Sequence, residues 1–185
     1  MAILGGGRHI RERARRARAA AVAALALAAF AGYARAAESL EYQVKAAFLL
    51  NFTKFAAWPP RAFADARSPI TICVLGNDPF EGALEQVVEG ETVNGRRVAV
   101  QRVRHEPAPK ACQVLFIGRG EHQIPSNLDG VLTVGEGPEF LNEGGMIAFV
   151  VDHNRVRFDI NQTAAANASI ALSSKLLAVA RTVRK

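Results

Sequence analysis

The chain has 185 residues, half of them hydrophobic, and a formal net charge of +6. Residues 1–36 hold seven arginines and one glutamate, so the remaining 149 residues carry 16 cations and 16 anions. A neutral chain of that length is enough for one domain with a real core, and it gives no reason to expect nucleic-acid binding.

The first 36 residues have the three parts of a secretory signal peptide. Six arginines lie between Arg8 and Arg18, Ala19–Phe30 is an unbroken apolar stretch, and Ala34-Arg35-Ala36 fits the small-x-small cleavage rule. The apolar stretch has 12 residues, whereas a membrane-spanning helix needs about 20. We therefore expect export to the periplasm with cleavage near Ala36. An uncleaved amphipathic segment is the alternative.

The next segment predicts a helix that Ser39 caps and that runs to about Ala56, before Trp58-Pro59-Pro60. Its apolar stripe consists of Val44, Phe48, Phe52 and Phe55, and Leu49 and Leu50 widen it. Such a helix is either well buried or partly covered by another chain. The aromatic series Phe48, Phe52, Phe55 and Trp58 is therefore a candidate partner surface, with ordinary core packing as the alternative.

Strands and helices then alternate. The predicted strands are 70–75, 98–103, 112–117, 131–134 and a hairpin within 146–160. The predicted helices are 80–88, a short one ending at Asn142, and a last one over 163–182. Asn94-Gly95 is a tight-turn signal. Gly76-Asn77-Asp78-Pro79 is either an ordinary turn between strand and helix or an anion site. This order predicts a layered single α/β domain, 37–185. It has a mostly parallel central sheet, a C-terminal antiparallel hairpin at or near one edge, and flanking helices.

Cys73 and Cys112 lie in two apolar runs that look like neighbouring strands. In an oxidising compartment, an even cysteine count on adjacent strands favours a disulfide. Two buried free thiols too far apart to bond are the alternative.

The hairpin strand near the C-terminus alternates: Val156, Phe158 and Ile160 point one way, and Arg155, Arg157 and Asp159 the other. This charged row is either a binding surface or a set of cross-strand ion pairs on a wet face. Asn161 follows it, as a helix N-cap or a ligand contact.

The residues after position 36 lack the patterns of known catalytic or metal centres. His105, His122 and His153 lie far apart in polar segments, and the sequence holds no HExxH, CxxC, GxSxG or Walker A motif. We therefore expect no catalytic residue, no cofactor and no metal ion, and a function other than that of an enzyme.

Several segments together resemble one family, the YfiR family of exported bacterial proteins, over nearly all of the mature chain and in order. The segments are Tyr42–Phe55 with Trp58-Pro59, Ile72–Phe80, Val93–Arg96, Cys112–Ile117, Val131–Val134, Phe140–Phe149, Arg155–Asn161 and Ser173–Leu177.

The resemblance implies a periplasmic regulator that represses an inner-membrane diguanylate cyclase, and so controls cyclic-di-GMP, by acting on the cyclase's periplasmic sensing region. It also implies that an outer-membrane lipoprotein can sequester the repressor, that redox state matters, and that the domain can form a homodimer. Some relatives carry a further cysteine pair toward the hairpin. This chain has none, so redox switching through that pair does not carry over.

Two functions therefore compete. In the first, the protein is an adaptor whose contacts are the exposed part of the Phe48–Trp58 helix and the row Arg155, Arg157 and Asp159. In the second, it is a periplasmic small-ligand binding protein, in which Arg155 and Arg157 hold an anionic or zwitterionic ligand beside Asn161. A deep pocket beside the arginines favours the second function, and an exposed apolar patch near Phe48 favours the first.

Overall fold

A computed structural model describes residues 38–104, 110–118, 124–125 and 128–185. The predicted signal peptide, His105 and His122 lie outside the described residues. Residues 41–185 form one compact unit; of the preceding unit, residues 1–40, the structure describes only 38–40. No helix in the described part of the chain is both long and apolar enough to span a bilayer.

The elements follow in this order. Helix α1 covers residues 38–55. After it come β1 (Ala56–Ala57), a 3-10 turn (Pro60–Ala62), β2 (Ile70–Leu75), α2 (Ala83–Val88), β3 (Thr92–Val93), β4 (Arg96–Val103), β5 (Val114–Ile117), β6 (Leu132–Glu136), α3 (Glu139–Asn142), β7 (Ile147–Asp152), β8 (Arg155–Asn161), α4 (Gln162–Asn167), β9 (Ala171–Leu172), α5 (Ser174–Val179) and β10 (Thr182–Arg184).

In the described part of the chain, the central sheet has eight strands in the order β10-β8-β7-β6-β5-β2-β4-β3. The pairs from β4 through β2, β5 and β6 to β7 are parallel, β7 and β8 form the antiparallel hairpin, and β10 runs parallel to β8. Helices cover the sheet, and the predicted layered α/β fold is confirmed. The hairpin is near one edge rather than at it, because the three-residue β10 pairs along the outside of β8.

Both predicted tight turns form. Asn94 and Gly95 join β3 to β4 with φ values of 52° and 77°, and His153 and Asn154 join β7 to β8 with φ values of 47° and 59°. Positive φ at both central residues is the type I′ geometry, whose twist matches that of the strands it connects. These turns set the register in which Val151 lies opposite Val156.

The prediction of one long last helix over 163–182 is wrong. Helix α4 ends at Asn167, and Ser169 adopts a left-handed conformation with φ 60°. The Ile170 N–H then bonds to Ala165 O at 2.9 Å, and the Ser169 N–H to Ala166 O at 2.9 Å, which is the Schellman termination that normally uses glycine. The chain after it forms β9 beside β1 and, after α5, β10 beside β8.

The sheet carries a core on each face. The larger cluster includes Phe52, Ile72, Phe116 and Ile160, and the smaller one lies around Cys73 and the residues of β5 and α3 that pack with it. Cys73 and Cys112 form the predicted disulfide within the smaller cluster, with a Cα–Cα distance of 5.7 Å. Cys73 lies in β2 and Cys112 two residues before β5, and these two strands are direct neighbours in the sheet.

Candidate partner-binding surface

Helix α1 buries a different face from the predicted one. Its innermost side chains are Ala46, Leu49, Phe52 and Thr53, so the sheet-facing row is offset from the predicted stripe. The helix is apolar over more than one stripe, and helical spacing alone does not say which stripe meets the sheet. Ser39 lies inside the helix rather than at a cap, since residue 38 is already helical.

Three residues of the predicted stripe lie at the margin of the core. Val44 is 38% exposed, Phe55 is 36% exposed, and Phe48 between them is half-buried. Spacings of four and seven residues place these three side chains on one line along the helix. We call Val44, Phe48 and Phe55 the apolar ridge.

Phe52 does not belong to this surface, because it is 0% exposed. Its ring lies 5.8 Å from that of Phe149 and 5.1 Å from that of Phe158, so it is a core residue on the inner side of the ridge. Its selection as a partner contact is therefore wrong in this structure. At about 100° per residue, Phe52 is turned about 40° from Phe48 and about 80° from Val44, toward the sheet.

The apolar ridge meets the β7–β8 hairpin through Phe48. The Phe48 ring lies 5.4 Å from the Phe158 ring and 6.1 Å from the Phe149 ring. Phe149 and Phe158 are directly opposite each other, and Val151 and Val156 are the next pair on the same face. Val151 is 55% exposed. The ridge is thus continuous with the apolar face of the hairpin, whereas Arg155 and Arg157 lie on the opposite face of β8.

The charged row of β8 is split by burial. Arg155 and Arg157 are exposed, whereas Asp159 is only 4% exposed. Arg181 binds the Asp159 carboxylate with two hydrogen bonds, from Nε at 2.9 Å and from a terminal nitrogen at 2.5 Å. These bonds hold the pKa of Asp159 below its usual value, although burial acts in the opposite direction. Asp159 is therefore an internal anchor for the segment before β10 and is not available to a partner.

Asn161 is the N-cap of α4. Its Oδ1 accepts a hydrogen bond from the Ala164 N–H at 3.0 Å, which satisfies one of the free donors of the first helical turn. The interpretation of Asn161 as a helix N-cap is therefore confirmed, and its side chain already has a role in the fold.

Trp58 is also engaged within the domain. Its Nε1 donates to the Gln113 carbonyl oxygen at 3.0 Å. The Gln113 side chain, buried between two segments, donates to Ala62 O at 2.8 Å and accepts from the Thr71 N–H at 2.8 Å. Trp58 thus fastens the segment after α1 to the start of β5, and only part of its half-buried ring remains open to a partner.

A buried charge cluster near the ridge has no counterpart in the sequence-based prediction. Lys45, only 2% exposed, bridges Glu41 and Glu136 through its ammonium group, and the Tyr42 hydroxyl donates to Glu136 at 3.3 Å. The ammonium nitrogen also lies over the Tyr42 ring, 4.3 Å from its centroid. A lysine on the sheet-facing side of a helix is the one signal in the sequence that points to such a pair, because a buried ammonium group needs a carboxylate.

A cavity of about 460 Å³ opens beside this cluster, where β6 ends at Glu136 and β7 continues beyond it. Lys45, Phe149, Val151 and Arg181 are among its lining residues. Arg155, Arg157 and Asn161 do not line it. The cavity thus lies on the hairpin but away from the residues selected for a ligand.

Within the described part of the chain, no group of three or more His, Cys, Asp or Glu side chains is arranged to hold a metal ion. The geometry is that of a mostly parallel α/β domain with an apolar ridge, a neighbouring hairpin and two exposed arginines.

Residues 42–181 match the YfiR/HmsC-like family, and the chain belongs to it. The family is known for periplasmic regulators of diguanylate cyclases. No curated protein matches the sequence. A crystal structure of a conserved domain protein from Vibrio cholerae O1 biovar El Tor strain N16961 matches with a TM-score of 0.41 and 12% identity, over 62% of this chain and 54% of that one. The chain thus spans about half the length of that protein. At this TM-score, the likeness supports no conclusion about fold or function.

Proposed function

We propose that this protein is a periplasmic adaptor that binds the sensing region of an inner-membrane diguanylate cyclase and holds the cyclase inactive. The family supports the class of partner. The observation that supports a binding surface on this chain is the continuity of the apolar ridge with the exposed Val151 and the half-buried Val156 of the hairpin. An outer-membrane lipoprotein that sequesters the adaptor would release the cyclase.

The surface has the composition of a protein interface. Its centre is aromatic and aliphatic, with Phe48 and Val151, and interface cores are enriched in such side chains. Arg157 lies on the same hairpin, on the opposite face from Val156, where its exposed guanidinium can pair with a carboxylate of the partner. Rim charges of this kind set association rate and specificity more than affinity.

Repression then follows from a population shift. A cyclase sensing region that exchanges between inactive and active arrangements is held in the inactive one if the adaptor binds that arrangement more tightly. The size of the effect is bounded by the difference between the two affinities, about tenfold in the equilibrium for each 1.4 kcal/mol.

Titration of the purified protein against the periplasmic region of a membrane diguanylate cyclase from the same genome tests the proposal. We expect Val151→Glu to weaken binding at least about tenfold, because a carboxylate would be buried at an apolar interface. Arg157→Glu should lower the association rate and its salt dependence. Arg97→Glu, on the exposed surface of β4, is the matched control and should leave both unchanged.

The same variants are then expressed in cells, and cyclic-di-GMP is measured. Wild type and Arg97→Glu should lower its concentration, and Val151→Glu should not. If Val151→Glu and Arg157→Glu both bind and repress as wild type does, the surface is wrong. If no variant and no wild-type protein binds any cyclase sensing region, the proposed partner class is wrong.

The cavity beside Lys45 supports a second candidate function, binding of a small zwitterion. Glu136 and Arg181 lie in its wall, which places a carboxylate and a guanidinium in one lining. A ligand would have to share these groups with Lys45 and Asp159, their present partners. Calorimetric titration with a panel of free amino acids tests it, and Arg181→Leu should abolish any binding seen.

A further inference from the structure

Strand β4 has an open outer edge. Its inner edge pairs with β2 along residues 98–103. On the outer side, β3 pairs only with Arg96 and Arg97, and the Val98 N–H bonds to Glu91 O at 3.0 Å. Among the residues that the structure describes, no strand pairs with the outer edge of residues 99–103.

The direction of the peptide groups shows which backbone N–H and C=O groups face outward at this edge. The Val98 N–H points outward to Glu91, and Val103 O points inward, where it accepts from the Gly76 N–H at 3.4 Å. Because successive residues of a strand direct their peptide groups to alternate edges, Val100 and Arg102 both present an N–H and a C=O outward. Arg102 is exposed and Val100 half-exposed, so the groups are reachable.

The same edge carries charges suited to a second copy of itself. Arg104 is exposed just beyond the end of β4, and Glu89 is exposed just before β3. Glu89 lines a groove of about 570 Å³ together with Glu85 and Glu91, and Val98 and Val100 also line it. Arg104 has the same strand parity as Val98 and Val100, so its side chain belongs to the face on which the groove lies.

We propose that two copies of this chain join through their β4 edges, antiparallel, with Gln101 of one opposite Gln101 of the other. Val100 then faces Arg102 of the second copy and Arg102 faces its Val100, and each of these two pairs forms two backbone hydrogen bonds. The eight-stranded sheets become one continuous sheet of sixteen strands. This register uses only the open residues of the edge and leaves β3 in place.

This register also brings Arg104 of each copy near Glu89 and Glu91 of the other. The last pair is Val103 with Ala99 of the second copy, because Glu91 already occupies the outer edge of Val98. Arg104 then follows at the end of the paired segment, next to Glu91 of the second copy and the groove that Glu89 lines, and the two-fold axis repeats this contact. Arginines on an edge strand usually discourage pairing between strands. Here Arg102 is already neutralised within its own chain by Asp78 and Glu85. The proposal names a surface for self-association and does not depend on the cyclase partner.

Cysteine cross-linking of the full chain, exported and purified in its oxidised form, tests the register. Gln101→Cys should give a covalent dimer, because directly opposite positions in a non-bonded antiparallel pair have Cβ atoms about 4.5–5.5 Å apart. Ala99→Cys is the matched control. The two copies of residue 99 are four positions out of register, about 13 Å apart along the strand, and should remain unlinked.

Sedimentation of variants without added cysteine supplies the second measurement. Val100→Pro removes an outward N–H and no bond within the chain, so it should give a folded monomer. Arg104→Glu should weaken the dimer at least about tenfold, and adding Glu89→Arg should restore it. A wild-type monomer at all concentrations overturns the proposal. So does equal cross-linking at positions 99 and 101, a dimer unaffected by Val100→Pro, or an edge that accepts only strands of other proteins.

Discussion

The Cys73–Cys112 disulfide allows a quantitative test of what holds this domain together. The bond spans a sequence separation of 39 residues. For a loop of that length, the chain-entropy relation gives a stabilisation of about 4 kcal/mol at 25 °C, which arises because the cross-link restricts the unfolded chain. Both residues are buried in the smaller core cluster. Reduction therefore leaves two small apolar thiols in the folded state without exposing them to water.

The assay is urea unfolding of the protein in oxidised and reduced form, followed by circular dichroism. We expect the free energy of unfolding to fall by about 4 kcal/mol on reduction. The slope with denaturant should rise, because an uncrosslinked unfolded chain exposes more surface. The matched control is the double variant Cys73→Ala/Cys112→Ala, whose unfolding should be the same with and without reductant.

A loss smaller than about 1 kcal/mol on reduction would refute the claim that restriction of the unfolded chain dominates the effect of this bond, since that restriction alone predicts about 4 kcal/mol. A double variant that still responds to reductant would show that the reductant acts elsewhere. Intact-mass measurement after thiol alkylation of the unfolded, oxidised protein gives an independent check. No cysteine should be alkylated, and two alkylated cysteines would contradict the disulfide itself.

Three further predictions concern single side chains. Arg181→Ala should lower the free energy of unfolding by about 1–3 kcal/mol at neutral pH, because it leaves the Asp159 carboxylate buried without its partner. Since the pKa of Asp159 is lowered in the fold, the stabilisation is complete above the usual pKa of an aspartate and is lost as the pH falls through the lowered value. Urea unfolding at several pH values should therefore show wild type and variant converging in acid. Phe52→Ala should cost about 3–5 kcal/mol in the same assay, and Phe55→Ala much less, because only the first ring is fully buried. Trp58→Phe keeps an aromatic side chain, although a smaller one, but removes the donor to a backbone carbonyl, and should lower stability by at least about 1 kcal/mol in thermal unfolding.

The features that could be predicted from the sequence depend on local pattern. The two tight turns follow from Asn94-Gly95 and from the polar pair between β7 and β8, because these residues tolerate positive φ. The neighbouring strands that bring Cys73 and Cys112 together are short apolar runs bounded by turns, which is a direct signal of buried strands. The alternation of strands with helices was sufficient for the layered α/β class.

The candidate site was predicted less completely. Phe48, Phe55, Arg155 and Arg157 do lie at the surface, at least in part. Phe52 lies in the core. Its burial depends on which stripe of α1 meets the sheet, and an apolar helix offers several.

Long-range pairing decided the remaining features. Asp159 is buried because Arg181, 22 residues later, reaches back to it, and Lys45 is buried because Glu136, 91 residues later, meets it. The last predicted helix breaks because Ser169 can terminate α4 and two short strands then find partners in β1 and β8.

The sequence by itself thus determined the main strands of the sheet, the turns and the fold class, and it favoured the disulfide, since each depends on residues a few positions apart or on strands of evident type. Only the tertiary structure decided which face of α1 is inside, which charges are paired, and that the ridge and the hairpin form one surface. Those outcomes depend on free energies of contact between distant segments, and no local pattern encodes them.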